Sequence, residues 1–286
     1  MSTTLKGHLQ ALITIAIWSS TFIISKLLLG QMTPLQILFS RFLIAIIFLS
    51  IIHPKFKKPV SILEELLFLV IGAALAGYFV FENSALQRTY SSNVSLIVAT
   101  IPFITGIMST LIYKTKFFNL KSIAGLIASY SGVLVIIING SRFEGVEPVG
   151  DLLALGAALM FAIYSILMQK TDTGYTLIQL TRKVFVYGFI VLALTILISG
   201  QPILPAGVNG QGIASVFFLG IVASSLAFIL WNRAIKAIGP VKTNQYIYLI
   251  PVLTTIVSAI ILKEQITWLT LVGAVLILLG LYLSEH

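Results

Sequence analysis

Three charged residues lie inside long apolar stretches of this sequence, where a charge is costly unless it has a partner or a task. Glu82 occurs in GYFVFENSAL, near the end of an apolar run that begins at Leu66, and Lys26 and Arg41 lie in two earlier runs. A carboxylate in such a place can form a structural ion pair, here with Lys26 or Arg41. It can also form a salt bridge that closes an outer gate, or bind a proton or a charged solute. The sequence leaves all three hypotheses for Glu82 open.

The composition indicates the kind of protein that holds these charges. Of the 286 residues, 58% are hydrophobic and only 9% are charged, and the mean hydropathy is +1.05. A soluble domain of this length needs more charge to cover its surface, so the sequence predicts a polytopic integral membrane protein. We interpret the net charge of +9 as a basic cytoplasmic rim rather than a nucleic-acid-binding surface, because Lys and Arg of short loops stay in the cytoplasm.

Ten apolar segments, separated by turn sequences, are each long enough to cross a bilayer. Most Lys residues of the intervening loops fall on the side of the N-terminus, which places both termini in the cytoplasm. The sequence thus predicts a multi-pass protein of the plasma membrane, the inner membrane in a bacterium. The predicted spans are residues 7–29, 34–52, 62–86, 92–112, 120–139, 149–169, 176–199, 211–236, 242–262 and 267–284.

The two halves of the chain resemble each other. GHLQALITIAIW aligns with GDLLALGAALMF, and a second pair of blocks matches Asn83 with Asn232. Each half has five predicted spans, an odd number, so the second half (142–286) must enter the membrane in the opposite direction to the first (1–141). The predicted fold is therefore all-α, with ten transmembrane helices in two inverted five-helix repeats.

Paired prolines and glycines mark matching positions of the two halves. Pro102 and Pro251 fall near the centres of the fourth and ninth spans, where a proline frees a carbonyl and kinks the helix. We interpret these two as functional kinks or hinges. A Gly-x6-Gly spacing puts both glycines on one helix face, where a neighbouring helix can approach closely. We interpret these glycines as packing features, in the pairs Gly125 with Gly132 and Gly273 with Gly280.

Aromatic and polar residues at similar depth outline a candidate cavity with aromatic walls and few hydrogen-bonding groups, suited to a small amphipathic or zwitterionic solute. Tyr78, for example, lies four residues before Glu82 on the same helix face. Arg182, Lys183 and Arg233 lie near the cytoplasmic ends of their spans and are interpreted as anchors or gate residues. The cavity candidates are Trp18, Ser19, Phe22, Tyr78, Asn83, Tyr164, Ser165, Asn232, Asn244 and Tyr248, with Lys26, Arg41 and Glu82 as charge partners or gate residues.

Several blocks resemble one known family along nearly the whole chain. They are WSSTFIISK in the first span, Pro34 with SRFLIA in the second, SALQRTYSSNVSLIVATIP, and LIPVLTTIVSAIILKEQITWLTLVGAVLILLG near the end. The sequence resembles a ten-helix EamA-type member of the drug/metabolite transporter superfamily. This resemblance implies secondary transport, commonly the export of amino acids, related amines or toxic organic compounds. The first half departs from the family pattern at Thr115, where an acid is common.

Motifs of other functions are missing from the sequence. It has no glycine-rich Walker sequence, no HExxH, no GxSxG and no clustered His and Asp, so neither ATP-driven transport nor an enzyme is predicted. It also has no cysteine, and its three histidines are terminal or loop residues. Neither a metal site nor a cofactor is therefore predicted.

The sequence thus predicts a secondary transporter of small metabolites that works by alternating access, with export of amino acids or amino-acid-like solutes favoured. An alternative is proton-coupled efflux of organic cations or drugs through Glu82. A third hypothesis is a membrane protein with a structural or receptor role and no transport. The expected partners are a small-molecule substrate, the lipid bilayer and, in the alternative, protons. No nucleic acid is expected, and the two fused halves allow function as a monomer.

Overall fold

The computed structural model of the chain describes residues 2–59, 61–88, 94, 97–114, 119–140, 148–171, 174–203, 205, 207–250, 252–253, 256 and 268–285. All regular secondary structure in these residues is helical, and it overlaps every predicted span. The elements are α1 (Thr3–Leu29), α2 (Pro34–Ile52), α3 (Ile62–Leu86), α4 (Ile101–Tyr113), α5 (Leu120–Gly140), α6 (Pro148–Lys170), α7 (Leu177–Ser199), α8 (α-helix Gly210–Phe217, π-helix Phe218–Leu226 and α-helix Ala227–Ile238), α9 (Pro240–Gln245) and α10 (Trp268–Glu285).

Five of these helices are individually long and apolar enough to cross a membrane. They are α2, most of α3, α6, α7 and the whole of α8, and shorter apolar helices lie in α4, α5 and α10. Apolar side chains cover much of the outer surface, and Leu111, Leu120 and Ile198 are all more than 70% exposed. Such a surface is stable only against lipid. The predicted fold class, an all-α polytopic membrane protein, is confirmed.

Two helices begin with the same local motif at matching positions of the two halves. Thr33 accepts a hydrogen bond from the Gln36 backbone N–H at the start of α2, and the Gln36 side chain accepts one from the Thr33 backbone. Thr176 and Gln179 form the same capping box at the start of α7. Each box satisfies backbone donors that have no partner within the helix, and so fixes where α2 and α7 begin.

The packing of the helices is symmetric between the halves. Each helix of the first half, α1 to α5, corresponds in order to one of the second half, α6 to α10. The contact of α3 with α6 then corresponds to that of α8 with α1, and both are present. The contact of α3 with α7 corresponds to that of α8 with α2, and both of these are present as well. The pairs α2 with α7, α4 with α9 and α5 with α10 map onto themselves and are also present. This pattern is the one expected of two repeats related by a pseudo-two-fold axis.

The Gly-x6-Gly glycines lie where α5 and α10 cross, which confirms their interpretation as packing features. A Cβ atom added to Gly132 would lie 2.5 Å from the Gly273 carbonyl oxygen, and one added to Gly273 would lie 2.7 Å from the Gly132 oxygen. A Cβ on Gly280 would lie 2.5 Å from the Gly125 oxygen. The two backbones are therefore in direct contact, which only glycine allows.

Pro102 lies where the helix of the fourth span is interrupted, since residues 97–98 are also helical, and its role as a hinge stays a prediction. α4 begins at Ile101, Pro102 lies in its first turn, and residues 99–100 form a turn just before it. Proline is tolerated there because the N–H of a first-turn residue has no partner within the helix. The second half changes at the matching place to a 3₁₀ turn, Tyr246–Tyr248. Pro251 lies outside the described residues.

Several lysine-rich loops converge at one end of the bundle. Lys57 Nζ lies 4.3 Å from the centre of the Tyr175 ring, and Lys170 Nζ lies 5.5 Å from that of Tyr113. These contacts join the segments that follow α2, α4 and α6. We call this end, which carries Lys55, Lys57, Lys58, Lys114, Lys170 and Lys236, the basic end.

Candidate functional site

Aromatic side chains from both halves meet in the middle of the bundle. The Trp18 ring centre lies 4.9 Å from that of Trp231 and 5.0 Å from that of Phe228, and the Tyr78 ring centre lies 4.9 Å from that of Phe161. We call these five residues, which come from α1, α3, α6 and α8, the aromatic cluster. Trp18 and Tyr78 were predicted to line a cavity, and the structure brings them together through Phe161.

Arg41 extends from α2 towards this cluster and joins the halves. Its side chain is almost completely buried, at 6% exposure. Its Nε donates a hydrogen bond of 3.1 Å to the Ser224 hydroxyl in α8, and its Cζ lies 4.8 Å from the centre of the Phe79 ring in α3. A buried guanidinium inside a span is a candidate for a functional site, because its desolvation is costly.

Glu82 lies opposite Arg41 and is held by a neighbour on its own helix. The Tyr78 hydroxyl donates a hydrogen bond of 2.7 Å to Glu82 Oε1, as their spacing of four residues predicts. The charges of Glu82 and Arg41 attract each other. Between these two described side chains, however, no nitrogen–oxygen distance falls within the 4.0 Å of a salt bridge. The two charges are therefore close enough to interact but do not form a salt bridge.

Two of the predicted site residues are not described beyond their backbone. Lys26 and Phe22 belong to α1, and their side chains lie outside the described part of the chain. The predicted pairing of Lys26 with Glu82 therefore stays a prediction.

A π-helix in α8 forms the wall of the site that faces Arg41. The Ala227 N–H bonds to the Val222 carbonyl, five residues back, and this wider winding includes Ser224. Carbonyls of α8 accept bonds from α1, since Trp18 Nε1 donates to Ala223 at 3.0 Å and Thr14 donates to Ala227 at 3.2 Å. π-Helical turns are rare in proteins overall, but those that occur are often found at functional sites.

A buried hydrogen-bonded chain links α6, α8 and α7 beside the cluster. The Tyr164 hydroxyl donates a bond of 2.6 Å to Asn232 Oδ1, and Asn232 Nδ2 donates one of 3.1 Å to the Thr181 hydroxyl. All three side chains are at most 1% exposed. Asn83, the counterpart of Asn232, instead donates to the Phe79 carbonyl of its own helix. The predicted pair of asparagines is therefore not brought together.

Replacing Asn232 with Leu is expected to lower the free energy of unfolding by about 1–2 kcal/mol, because it leaves the buried Tyr164 hydroxyl without its acceptor and removes the bond from Asn232 to Thr181. Thermal unfolding of the detergent-purified protein measures the loss. Asn83→Leu is the matched control, since among the described residues that amide donates only to the Phe79 carbonyl of its own helix. Equal destabilisation by both variants would contradict a role of the chain in joining the helices.

A second buried chain joins α6, α9 and α4. Ser165 donates a bond of 3.1 Å to Asn244 Oδ1, and Asn244 Nδ2 donates one of 2.8 Å to the Thr105 hydroxyl. Tyr248, predicted with Asn244 to line the cavity, is fully buried, and its hydroxyl has no hydrogen-bond partner among the described residues. Ser19 is also buried and donates to the Ile15 carbonyl of its own helix at 2.8 Å.

The end of the bundle opposite the basic end opens into two adjoining clefts of about 750 and 350 Å³. The smaller cleft lies between α2, α3 and α7. Its floor includes Leu38 and Val80, each within a helical turn of Arg41 or Glu82. Its polar lining is uncharged and consists of Thr33, Asn83, Ser84, Gln87, Thr195 and Gln201.

The basic end is closed by a cluster of charged and phenolic groups between α3 and α7. Lys183 Nζ lies 2.5 Å from Glu65 Oε1 and 3.5 Å from Glu64 Oε1, and it donates a bond of 2.9 Å to the Tyr175 hydroxyl. Tyr187 also donates to Glu65. We call these five residues the closure cluster. It ties the first half of the chain to the second at the end opposite the clefts.

Sequence reasoning missed the partners that hold the candidate residues. Ser224, Thr181 and Thr105 are hydroxyl residues inside apolar runs, and each accepts a bond from a predicted residue on another helix. A small hydroxyl in a span is a weak signal, because such side chains commonly bond to a carbonyl of their own helix.

Comparison with known proteins adds to this geometry. A "Uncharacterized transporter" of Archaeoglobus fulgidus is 28% identical to this chain over 98% of it and 97% of the relative. A "Probable amino-acid metabolite efflux pump" of Escherichia coli K12 is 24% identical over 98% and 94%. A protein of known crystal structure shares the fold, with a TM-score of 0.81 at 19% identity over 98% of this chain and 97% of its own.

The model of the EamA-like transporter family matches this chain twice, over residues 5–138 and 148–285. Together these segments include nearly all of the sequence. The family and the relatives named above are transporters rather than enzymes. This membrane protein therefore belongs to the EamA-like transporter family.

Proposed function

We propose that this transporter exports small metabolites by alternating access, with amino acids or amino-acid-like solutes as its favoured substrates. The observation that carries the proposal is the position of Arg41, which bonds to Ser224 of one half and faces Glu82 and Phe79 of the other. Secondary transporters built from inverted repeats bind their substrates near the midplane between the halves.

The substrate class is supported by two independent features. Opposite charges beside aromatic rings suit a solute that carries both charges and an apolar part. The name of the Escherichia coli relative, a probable amino-acid metabolite efflux pump, points to the same class.

The orientation we propose places the basic end and both termini in the cytoplasm, in the plasma membrane of the cell. The positive-inside rule supports it, because the lysine-rich loops share one end. The clefts then open outwards, and the closure cluster seals the cytoplasmic side. We further propose that one chain suffices for transport, with the repeat boundary between residues 141 and 142, and that the substrate and the lipid bilayer are its partners.

Counterflow into proteoliposomes tests this function. Vesicles loaded with an unlabelled amino acid should accumulate the labelled one, and a panel of amino acids and amines should compete with it unequally. Measurements with and without a pH gradient show whether protons contribute. The absence of counterflow for every compound in the panel, with protein that unfolds cooperatively, would contradict the proposal.

Removing the amine of Lys183 is expected to open the cytoplasmic side. Lys183→Ala leaves Glu64 and Glu65 of α3 without their cation on α7, so the attraction that holds the two helices together at this end is weakened. The chain has no cysteine, so single cysteines can be labelled directly. With a charged maleimide, labelling at Leu180→Cys should rise severalfold, and labelling at Thr195→Cys in the cleft should fall. Unchanged labelling at both positions would argue against the closure cluster as a gate.

A second candidate function is proton-coupled efflux of organic cations, with Glu82 as the exchanging acid. Its support is the hydrogen bond of Glu82 to Tyr78, which places a carboxylate at the edge of the aromatic cluster. Aromatic faces attract cations, and a carboxylate beside them can bind a cation or a proton in turn.

A further inference from the structure

Arg41 has donors that no described residue uses. Its Nε donates to Ser224, whereas Nη1 and Nη2 donate to no group within the part of the chain that the structure describes. The Phe79 ring stacks near the guanidinium, with its centre 4.8 Å from Arg41 Cζ, and does not serve as a hydrogen-bond acceptor for these two nitrogens. Neither nitrogen belongs to the fully buried polar atoms that lack a partner, so both keep some accessible surface on which they can present donors to a ligand.

The shape of these donors selects one kind of ligand group. Nη1 and Nη2 lie side by side in a rigid plane and match the two oxygens of a carboxylate. Glu82 cannot serve, because Tyr78 holds it and its oxygens stay more than 4.0 Å from the guanidinium nitrogens. A ligand carboxylate would therefore complete Arg41.

Glu82 restricts that ligand further. Its negative charge attracts Arg41 and would repel a simple carboxylate bound to the Arg41 guanidinium. A ligand that also carries an ammonium group removes the repulsion, since the ammonium can bind Glu82 while the carboxylate binds Arg41. The Phe79 ring lies beside Arg41 and the Tyr78 ring beside Glu82, and the two neighbouring rings suit an apolar side chain.

We propose that Arg41 and Glu82 are the specificity-determining pair of the transporter, with Arg41 binding the substrate carboxylate and Glu82 its ammonium. The inference rests on the proposed function and assigns its substrate selectivity to two residues. It separates amino acids from amines, which the second candidate function would accept. A buried arginine with filled donors provides the contrast: Arg182 donates from Nη1 to the His53 carbonyl at 2.6 Å and from Nη2 to that of Lys55 at 2.8 Å.

Binding of matched ligands to the full-length protein in nanodiscs tests the proposal. The ligands are apolar amino acids such as L-leucine, the amine that lacks the carboxylate (3-methylbutylamine) and the acid that lacks the amine (4-methylpentanoate). The wild type should bind leucine at least about 30-fold more tightly than either analogue. Arg41→Gln should bring leucine and the amine to within about threefold of each other. Glu82→Gln should do the same for leucine and the acid.

Two further variants keep the test decisive. Arg182→Gln removes a buried guanidinium outside the site and should leave the wild-type ligand ratios unchanged. If Arg41→Gln does not fold, Arg41→Lys replaces it, since it keeps the charge but loses the planar fork, and its preference for leucine over the amine should fall. Arg41 variants with the wild-type ratio would overturn the inference, as would a wild type that binds the amine as tightly as the amino acid.

Counterflow with the same preparations separates failure of the inference from failure of the proposed function. Amino-acid counterflow that survives in Arg41→Gln with unchanged selectivity would overturn the inference alone. If no amino acid either binds or exchanges, the proposed substrate class is wrong and the inference is overturned with it.

Discussion

Replacing Glu82 with Gln is expected to reduce counterflow of the wild-type substrate by at least about 30-fold, because it leaves the buried charge of Arg41 without its opposing carboxylate. Gln preserves the size of the side chain and can still accept a hydrogen bond from Tyr78, so the loss should reflect charge rather than packing. Initial rates in proteoliposomes, at equal amounts of reconstituted protein, provide the measurement. Val70→Ala, on the exposed face of α3 and outside both clefts, is a control for disturbance of the helix.

The behaviour of Glu82 variants distinguishes the three hypotheses for this residue. If residual transport by Glu82→Gln keeps the pH dependence of the wild type, Glu82 is not the site of proton coupling. If the charge-swapped variant Arg41→Glu with Glu82→Arg regains full transport, the pair is a structural salt bridge or gate. If the swap restores folding without restoring transport, the two charges bind substrate in a fixed orientation, as the specificity-determining pair requires.

Replacing Gly132 with Ala is expected to lower the free energy of unfolding by about 3 kcal/mol. The new Cβ would lie 2.5 Å from the Gly273 carbonyl oxygen and 2.9 Å from the Ile277 backbone nitrogen, so α5 and α10 must separate. Backbone atoms cannot turn aside as a side chain can. Thermal unfolding in detergent, followed by tryptophan fluorescence, measures the effect.

Gly210→Ala is the matched control for this substitution. Gly210 begins α8, and a Cβ atom there would have nothing within 4 Å. Alanine favours a helix over glycine by about 1 kcal/mol, so the control should be neutral or slightly stabilising. If Gly132→Ala is as stable as Gly210→Ala, the contact between α5 and α10 is looser than the structure indicates.

The sequence predicted the parts of the site that depend on one helix. The spacing of Tyr78 and Glu82 puts them on one face of α3, and their hydrogen bond follows from helical geometry alone. The partner of Arg41 was beyond such reasoning. Ser224 is 183 residues away in sequence, and only the crossing of α2 with α8 decides that the two side chains meet.

The π-helix of α8 shows a second limit. Residues 218–226 read as an ordinary apolar span, and nothing in their pattern indicates the wider winding. The π-helix becomes favourable through contacts with other helices. Trp18 and Thr14 of α1 donate hydrogen bonds to carbonyls of α8. Gly220 leaves room for Ile44 of α2, since a Cβ atom on Gly220 would lie 2.5 Å from the Ile44 side chain. A local pattern cannot report contacts of this kind.

Hydropathy and repetition by themselves determined that this chain is an all-α membrane protein built from two similar halves. They could do so because a bilayer requires long apolar helices, and because residues such as Asn83 and Asn232 occupy matching positions in the two halves of the sequence. Tertiary structure alone decided which charges face one another. Arg41 and Glu82 lie in separate spans, and their separation, their aromatic surroundings and the unfilled donors of Arg41 arise where α2, α3 and α8 meet.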